Sequence, residues 1–158
     1  MRFFRTRNLA TSQKQELLGL WNSEYPQNLN YGNLQAMEDY LTQLEDQNHL
    51  LILDEQDHIQ GWYFDFIREG ERWFIIILDA QAQGRKLGSR LMELAKQEHH
   101  ELNGWVVATN DYYKANGQPY QSPVGFYRKH GFSILPDVKL ETDKISVIKI
   151  TWSKLADR

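Results

Sequence analysis

The chain has 158 residues, of which 41% are hydrophobic and 25% are charged, and its formal net charge is −3. This composition is typical of one globular domain and argues against disorder, and the small net charge favours neither a nucleic acid nor an anionic membrane as a partner. The absence of cysteine excludes disulfides, thiolate metal sites and cysteine nucleophiles. No segment has the roughly 18 apolar residues of a membrane span, and the N-terminus lacks a signal-peptide pattern, so we expect a cytoplasmic protein.

The N-terminal third of the chain predicts one strand and two helices. Phe3 and Phe4 among arginines indicate a first strand near the edge of a sheet. Ser12 and Gln15 resemble a capping box, which predicts the start of a first helix. Asn33 predicts the cap of a second helix, so two helices precede the main sheet.

Three strands come next, at residues 49–53, 59–67 and 73–78, separated by turn-forming segments. The third is apolar on both faces, so we expect it at the centre of the sheet with cover on both sides. It leads into a helix that the pattern predicts from Gly84 to Asn103-Gly104, a pair typical of helix C-termini.

A fifth strand at 105–108 is expected to lie parallel to the fourth, because a strand-helix-strand unit makes a right-handed crossover. Ser122-Pro123 predicts a short helix, and strands at 132–135 and 146–152 close the fold. The order β-α-α-β-β-β-α-β-α-β-β predicts a three-layer α+β fold with a mixed, mainly antiparallel sheet of about seven strands. We expect a single domain over residues 1–158.

The segment from Gln83 to Gly88 follows the central strand and contains two glycines and two cations. The first backbone N–H groups of a helix lack partners and carry partial positive charge, which suits a bound anion. Gly84 and Gly88 remove Cβ atoms where a ligand would approach the backbone or where the helix must pack on the sheet, and Arg85 and Lys86 offer donors to phosphate oxygens. On these residues alone, a helix start with two solvated cations stays open as the alternative.

Two short motifs about forty residues apart are more specific together than either is alone. One is Gln83-Gly-Arg-Lys-Leu-Gly88, and the other is the segment 125–132, Gly-Phe-Tyr-Arg-Lys-His-Gly-Phe. They resemble the pyrophosphate loop Gln/Arg-x-x-Gly-x-Gly/Ala and the phenylalanine-tyrosine helix of the Gcn5-related N-acetyltransferase (GNAT) superfamily. The resemblance covers nearly the whole chain, with one departure: Lys86 stands where the superfamily usually has the first glycine of its pair.

The resemblance implies an N-acetyltransferase with acetyl-coenzyme A (acetyl-CoA) as the acyl donor. It implies that the loop binds the pyrophosphate, and that backbone N–H groups at a bulge near Leu78 and Asp79 polarise the thioester carbonyl. The Lys86 side chain then either points away from the pyrophosphate or adds an ammonium to its binding. The implied cofactor-binding residues are Ile76, Leu78, Gln83, Gly84, Arg85, Lys86, Leu87, Gly88, Ser89 and Asn110.

The resemblance also places Tyr127 close to the sulfur of the cofactor. A phenol has an ordinary pKa of about 10, so Tyr127 is a protonated donor at neutral pH and fits the role of catalytic acid for the departing thiolate. The alternative is a packed aromatic side chain beside Phe126. Asn110 likewise either hydrogen-bonds the pantetheine arm or begins a turn.

Direct attack needs an acceptor for the proton of the amine, because an alkyl amine with a pKa near 10 is only about a thousandth unprotonated at pH 7. Asp65 is our candidate catalytic base, since a carboxylate in an aromatic strand must face solvent or a polar cleft. Glu71 is a second candidate that fits ordinary hairpin surface better. A solvent-facing Asp65, and a water chain in place of any carboxylate, stay open as alternatives.

The acceptor side is the least defined part of the prediction. Residues 22–32 and 110–121 should border the acceptor cleft if the superfamily's architecture holds, and their tyrosines either frame an aromatic pocket or pack the loops. These tyrosines are Tyr25, Tyr31, Tyr112, Tyr113 and Tyr120. The histidines show no ligand spacing with carboxylates, so we expect no metal.

Together these observations predict an N-acetyltransferase that transfers the acetyl group of acetyl-CoA to a primary amine, of a small molecule or a peptide, in a ternary complex. The alternative from another class is a noncatalytic acyl-CoA-binding regulatory module with the same fold, which Lys86 and the lack of a clear base would explain. A structural domain without cofactor is the third. We expect no nucleic-acid or membrane partner, and exposed strands near the C-terminus are compatible with a homodimer.

Overall fold

The computed structural model describes residues 1–154, in which seven strands and four α-helices occur. The strands are β1 (Arg2–Thr6), β2 (Glu45–Leu53), β3 (Ile59–Arg68), β4 (Glu71–Leu78), β5 (Glu101–Val106), β6 (Ser133–Glu141) and β7 (Ser146–Ser153). The helices are α1 (Thr11–Glu24), α2 (Leu34–Thr42), α3 (Leu87–Glu98) and α4 (Val124–Lys129). Short 3₁₀ turns, Gln27–Leu29 and Ala80–Ala82, follow α1 and β4. Within these residues no helix has both the length and the apolar character needed to cross a bilayer.

The strands form one mixed sheet in the order β1-β2-β3-β4-β5-β7-β6. β4 and β5 pair in parallel, as the predicted crossover through α3 requires, and the other neighbouring pairs are antiparallel. The seven-stranded mixed sheet with flanking helices confirms the predicted fold class. The single-domain prediction extends to residue 158, and residues 155–158 lie outside the described part of the chain.

The side chains of β3 alternate between two cores on opposite faces of the sheet. Trp62 and Phe64 pack with α1 and α2 in one core, and Tyr63 packs with Phe74 and α3 in the other. Trp62 and Phe64 are both 0% exposed, and burial of one such side chain contributes about 1.5–3 kcal/mol to stability. The centre of the sheet is therefore covered on both faces, as its apolar pattern predicted.

Helix α3 is shorter than predicted, because it spans Leu87–Glu98 rather than residues 84–104. Asn103 and Gly104 lie inside β5, and both are buried. A Cβ on Gly104 would meet Phe74 at 3.2 Å. The Asn-Gly pair therefore permits close packing between strands, and the prediction that it ends the helix was wrong.

The C-terminal strand pair is longer than predicted. β6 continues through Pro136 to Glu141, where the sequence predicted a connection. The register between β6 and β7 shifts between Leu135 and Lys139. Because β6 is an edge strand, it tolerates Pro136, which has no N–H to donate to a ladder.

Gly61 in β3 is tightly packed, because an added Cβ would lie 2.8 Å from Leu78 Cδ2 and 2.9 Å from Ile52 Cδ1 and both side chains would have to shift. We predict that Gly61→Ala lowers the free energy of unfolding by about 1–3 kcal/mol through overpacking, measured by urea denaturation. Gly19→Ala is the matched control, since Gly19 lies inside α1 with nothing within 4 Å of its Cβ position. It should raise that free energy by about 0.5–1 kcal/mol. Equal effects of the two substitutions would contradict the packing argument.

Candidate active site

Strands β4 and β5 touch at one point and then separate. Their pairing consists of the single pair Trp73↔Asn103, whereas β4 keeps an unbroken register with β3 from Glu71 to Leu78. Beyond Trp73, the N–H and C=O groups of every second residue of β4 point toward β5 but form no ladder with it. They face a gap between the two strands. Ile76 and Leu78, both predicted to contact the cofactor, belong to this segment.

The bulge expected at Leu78 and Asp79 does not occur there, although both residues lie within the described chain. The register with β3 is continuous through Leu78, and the Asp79 N–H extends it by donating to the Gln60 carbonyl at 2.9 Å. The Asp79 carboxylate accepts from the Gln81 N–H at 2.9 Å and caps the following 3₁₀ turn. The backbone groups without a strand partner at this end of β4 are therefore those that face the gap beside β5.

The start of α3 leaves backbone donors without helical partners. Gly84 and Lys86 both have left-handed backbone conformations, with φ of 79° and 62°. The first helical hydrogen bond runs from the Arg90 N–H to the Lys86 carbonyl at 3.1 Å. The N–H groups of residues 87–89 precede it, so they carry the partial positive charge of the helix N-terminus and suit an anion.

Gly88 brings the start of α3 close to the end of β4 and to α4. An added Cβ would meet Leu78 Cδ1 at 3.3 Å and ring atoms of Phe126 at 3.4 Å. Ser89 Oγ lies 3.0 Å from His130 Nε2, which ties α3 to the end of α4. The glycine predicted to admit a ligand therefore also permits the packing that places the helix start beside the gap.

Two cations at this helix start have no acidic partner. Arg85 and Lys86 are exposed, and no carboxylate of residues 1–154 lies within 4.0 Å of either. Arg90 in the first turn of α3, in contrast, pairs with Glu93 at 3.2 Å. Unpaired cations at a helix N-terminus oppose the helix dipole by about 0.3–1 kcal/mol each, a cost that a bound anion would offset.

The other predicted cofactor residues make structural contacts. Gln83 Nε2 donates to the Leu78 carbonyl at 3.2 Å, and the Leu87 side chain packs against the core beneath α3. Asn110 Oδ1 accepts from the Ser122 N–H at 2.8 Å and so closes the loop between β5 and α4. Their roles toward a cofactor stay predictions.

Two adjacent cavities meet at the gap between β4 and β5. The first, which we call the groove, has a volume of about 250 Å³ and is bordered by the end of β4, the start of α3 and α4. The second, the aromatic cavity, has a volume of about 300 Å³ and extends between β4 and β5 toward α1 and α2. The residues that line both are Tyr25, Ile76, Tyr120, Pro123 and Tyr127.

Tyr127 lies where the groove and the aromatic cavity meet. Its side chain is 7% exposed, and the rings of Phe74 and Phe126 lie edge-on to it at centroid distances of 5.6 and 5.1 Å. Burial, with a smaller effect of the nearby Tyr120, raises the pKa of Tyr127 above that of an ordinary phenol. Tyr127 is thus both a packed aromatic and a protonated phenol in the wall of two cavities, so the two interpretations of the sequence are compatible.

A family model described as an acetyltransferase (GNAT) domain matches residues 9–154. The chain belongs to the GNAT family. This confirms the resemblance carried by the two sequence motifs. A comparison with curated protein sequences finds no match.

Several solved structures share the GNAT fold with this chain at low sequence identity. A phosphinothricin acetyltransferase from Sinorhizobium meliloti, in complex with acetyl-CoA, has 12% identity and a TM-score of 0.65, covering 97% of this chain and 89% of that one. A mutant spermidine N-acetyltransferase from Vibrio cholerae has 16% identity and a TM-score of 0.64, covering 97% and 95%. An aminoglycoside 6'-acetyltransferase type Ii has 16% identity and a TM-score of 0.65, covering 97% of each chain. At these identities the likeness establishes the fold alone.

Asp65 of this GNAT domain lines neither the groove nor the aromatic cavity. It is 1% exposed and borders a separate polar cavity of about 380 Å³ beside β1 and the end of α3. Its carboxylate lies within hydrogen-bond distance of Tyr63 Oη, Asn48 Nδ2, Arg72 Nη1 and His99 Nε2. The solvent-facing alternative is therefore wrong, and the carboxylate is surrounded by donors from several elements.

The hydrogen bonds to Asp65 decide its charge. Burial by itself would raise the pKa of the carboxyl, but hydrogen bonds from His99, Tyr63 and Asn48 outweigh burial and hold the pKa below its ordinary value. A carboxylate with a lowered pKa and occupied lone pairs is a poor proton acceptor at neutral pH. The base role of Asp65 stays a prediction, and Glu71, the second candidate, pairs with Lys149 at 3.3 Å.

Three of the five predicted acceptor-side tyrosines, Tyr25, Tyr31 and Tyr120, line the aromatic cavity of the GNAT domain. The Tyr112 hydroxyl accepts from the Ser146 N–H at 2.9 Å, and Tyr113 is 52% exposed. Further cavity residues were not predicted from the sequence, although those on β3 and β4 include residues that alternate along each strand and so lie on the face of the sheet toward α1. They include Trp21, Tyr40, Phe66, Arg68, Trp73 and Trp105.

Glu24, which was also not predicted from the sequence, lines the groove and pairs with Lys114 at 3.1 Å. The pair joins the end of α1 to the loop before α4 across most of the chain, so no local pattern indicates it. Among residues 1–154, no cluster of three or more histidine, aspartate or glutamate side chains is placed to hold a metal ion.

We predict that Asp65→Asn lowers the free energy of unfolding at pH 7 by about 3 kcal/mol, because it leaves the buried Arg72 contact without its carboxylate. A lowered folded-state pKa stabilises the fold above the unfolded pKa of about 3.9, and this stability is lost as the pH falls through the folded pKa. Urea denaturation should therefore show a smaller loss of stability on acidification for the variant than for the wild type. Asp46→Asn, which removes a 42% exposed carboxylate from the same Arg72, should cost only about 0–1 kcal/mol at pH 7.

The same Asp65 variant tests the predicted base role. If Asp65 takes the proton of the amine, the acidic limb of the profile of kcat/KM against pH should shift in Asp65→Asn. A profile that keeps its shape and changes only in height would reject the base role and leave Asp65 as a stabilising group.

Proposed function

We propose that this protein is an acetyl-CoA-dependent N-acetyltransferase in which a primary amine attacks the thioester directly in a ternary complex. The observation that carries the proposal is the meeting of the groove and the aromatic cavity at Tyr127, in the gap where β4 leaves β5. The groove leads to the start of α3, and the aromatic cavity leads toward α1 and α2. Two substrates could thus meet from opposite sides, with no need for a covalent enzyme intermediate.

On the donor side, acetyl-CoA supplies an activated acetyl thioester when it is bound. The N–H groups of residues 87–89 and the unpaired Arg85 and Lys86 fit its pyrophosphate. Leu87 and Ser89 would contribute through their backbone, since their side chains contact the core and His130. The acetyl-CoA complex of the phosphinothricin acetyltransferase from Sinorhizobium meliloti supports this choice of donor.

The thioester carbonyl would lie at the gap beside Ile76 and Leu78. Backbone N–H groups that β4 directs there would polarise the carbonyl and stabilise the oxyanion that develops on attack. Because β4 is held by its full register with β3, these donors need no rearrangement when charge develops.

The acceptor would enter the aromatic cavity. Structural neighbours named for spermidine and for aminoglycosides support a small-molecule amine as its class. Among the described residues, no carboxylate lines this cavity. Since burial without a counter-ion disfavours an ammonium ion, the acceptor would bind with a lowered pKa and attack as the neutral amine.

In the chemical step the nitrogen lone pair forms the new N–C bond, the C–S bond breaks, and its electron pair moves to sulfur. Tyr127 would donate a hydrogen bond to the thiolate that results. Because its pKa is raised, Tyr127 is a weaker acid than an ordinary phenol, so we assign it hydrogen-bond donation without loss of its proton. The proton that neutralises the thiolate comes from the acetylated nitrogen through water.

We predict that Tyr127→Phe lowers kcat by about 100-fold, because the leaving thiolate loses its hydrogen-bond donor. Steady-state kinetics give kcat, and calorimetry should show that the dissociation constant for acetyl-CoA is nearly unchanged. Tyr113→Phe, which removes the hydroxyl of an exposed tyrosine, is the control and should retain full activity. A fully active Tyr127→Phe enzyme would exclude the donor role.

We predict that Arg85→Glu combined with Lys86→Glu raises the dissociation constant for acetyl-CoA by at least about tenfold, since two charge-assisted contacts to phosphate are lost. Lys139→Glu combined with Lys144→Glu makes the same change of net charge at exposed positions of the β6-β7 hairpin and should leave binding unchanged. Lys86→Gly keeps the left-handed backbone accessible, so a weaker affinity in that variant would assign a direct contact to the ammonium.

The proposed function itself is tested by thiol release from acetyl-CoA over a panel of primary amines. Release that depends on the amine and yields the N-acetyl product supports the enzyme. Acetyl-CoA binding without release on any amine would favour the noncatalytic module instead. A ligand at about 100 times its dissociation constant should stabilise the fold by roughly 2.7 kcal/mol, so no thermal shift with acetyl-CoA would contradict both.

A further inference from the structure

The aromatic cavity contains a single charged residue in its described lining, Arg68 at the end of β3. The other lining residues of the described chain are aromatic or aliphatic, and none is a carboxylate. An isolated cation in an apolar cavity attracts an anion more strongly than a solvated one, because the local dielectric is low. The charge of Arg68 therefore bears on which acceptor the cavity can hold.

Arg68 has no acidic partner among residues 1–154 within the 4.0 Å limit of an ion pair. Lys149 offers a direct comparison, because its Nζ also lies over the Trp73 ring, at 5.3 Å from the centroid. Lys149 pairs with Glu71 at 3.3 Å and does not line the cavity. Of these two cations beside Trp73, Arg68 has no carboxylate partner in the described chain, so its charge is available to a ligand.

The orientation of Arg68 is fixed by aromatic neighbours. Its guanidinium carbon lies 5.0 Å from the centroid of Phe66 and 5.7 Å from that of Trp73. Burial raises the pKa of Tyr40, and the charge of the nearby Arg68 opposes that rise. A guanidinium held between aromatic side chains is already ordered, so binding an anion costs little further ordering.

Trp73 adds a second donor that lacks an acceptor. Its Nε1 is buried and has no hydrogen-bond partner among the described residues. In the same chain, Trp21 Nε1 donates to the Leu29 carbonyl at 2.9 Å and Trp62 Nε1 donates to His49 Nδ1 at 3.0 Å. Buried donors without acceptors are rare in folded proteins and indicate a missing partner.

We infer that Arg68 and Trp73 bind an anionic group of the acceptor, so that the acceptor is an amine whose apolar spacer ends in a carboxylate or another oxyanion. This inference rests on the proposed function and assigns its acceptor class. Ile76, in the wall shared by both cavities, lies three residues beyond Trp73 on β4. Since a strand rises about 3.3 Å per residue, the Cα atoms of Trp73 and Ile76 are about 10 Å apart, and we take this as the scale of the distance between amine and anion. A diamine of the same length would place its second ammonium against Arg68 and is disfavoured.

The test uses the full-length protein and three acceptor series of matched length, ω-aminoalkanoates, n-alkylamines and α,ω-diaminoalkanes. The aminoalkanoates should have the highest kcat/KM, with an optimum where the two ends are about 10 Å apart. Arg68→Gln should lower kcat/KM for aminoalkanoates by about tenfold or more and change that for n-alkylamines by less than about twofold. Arg68→Glu should reverse the preference in favour of the diamines.

Three further variants separate the charge of Arg68 from its packing. Lys149→Gln removes the other cation beside Trp73 and should leave the preference unchanged. Arg68→Lys should keep part of the preference, because an ammonium retains the charge without the planar fork of donors. Trp73→Phe should reduce activity on aminoalkanoates more than on n-alkylamines. Thermal melting of each variant checks that the fold is intact.

The outcomes distinguish this inference from the proposed function. If n-alkylamines are acetylated and Arg68→Gln affects the three series equally, the acceptor class is wrong while the enzyme assignment stands. If no amine is acetylated, the enzyme assignment fails, and tryptophan fluorescence then measures binding of an ω-aminoalkanoate directly. Binding that Arg68→Gln weakens by about tenfold supports the anion site, and binding that ignores Arg68, or no binding, overturns it.

Discussion

The separation of β4 from β5 is the constraint on which the candidate active site depends. β5 forms six register pairs with β7, and β4 pairs with β3 along its whole length. Each strand is therefore held by its outer neighbour, and Trp73↔Asn103 is the one register pair between them. The Asn103 amide strengthens this link, since it donates to the Arg72 carbonyl at 3.1 Å and accepts from the Thr151 hydroxyl at 2.8 Å. One end of the gap is thus fixed, and the strands part only beyond it.

The buried Asp65 network lies at the same fixed end. Asp65 draws together β2 through Asn48, β4 through Arg72 and the end of α3 through His99. A buried carboxylate is costly unless its lone pairs are occupied, and here each oxygen has two donors within hydrogen-bond distance. These hydrogen bonds account for the burial of an aspartate in an aromatic strand. The polar network holds the closed end of the gap, while the open end is left for ligands.

The parts of the fold that follow from local pattern could be predicted from the sequence. The apolar central strand, the Asn33 cap and the glycine-rich loop gave the correct element order, because each is encoded by residues close together in the chain. The two motifs likewise gave the family. Asn103-Gly104 was wrongly taken as a helix end, since only the pairing of β5 with its neighbours shows that Gly104 makes room for Phe74.

What the sequence could not provide depends on register and on distant contacts. The donors around Asp65 come from three other elements, and the pair Glu24–Lys114 joins segments 90 residues apart. The aromatic cavity requires Trp21 of α1 to approach β3 and β4. No local spacing encodes these approaches, so Arg68 became visible as a cavity residue only once the sheet was assembled.

In the proposed reaction, the positions of the cations favour a neutral reaction centre. The chain has a net charge of −3, yet Arg85 and Lys86 at the start of α3 and Arg68 at the aromatic cavity have no acidic partner among residues 1–154. Two substrates that are anionic at their outer ends would be drawn in from opposite sides, with their reacting atoms meeting near Tyr127. No described carboxylate lines the aromatic cavity, so an ammonium would gain no counter-ion there and the free amine is favoured. The thiolate that forms would meet a phenol whose raised pKa keeps its proton available for a hydrogen bond.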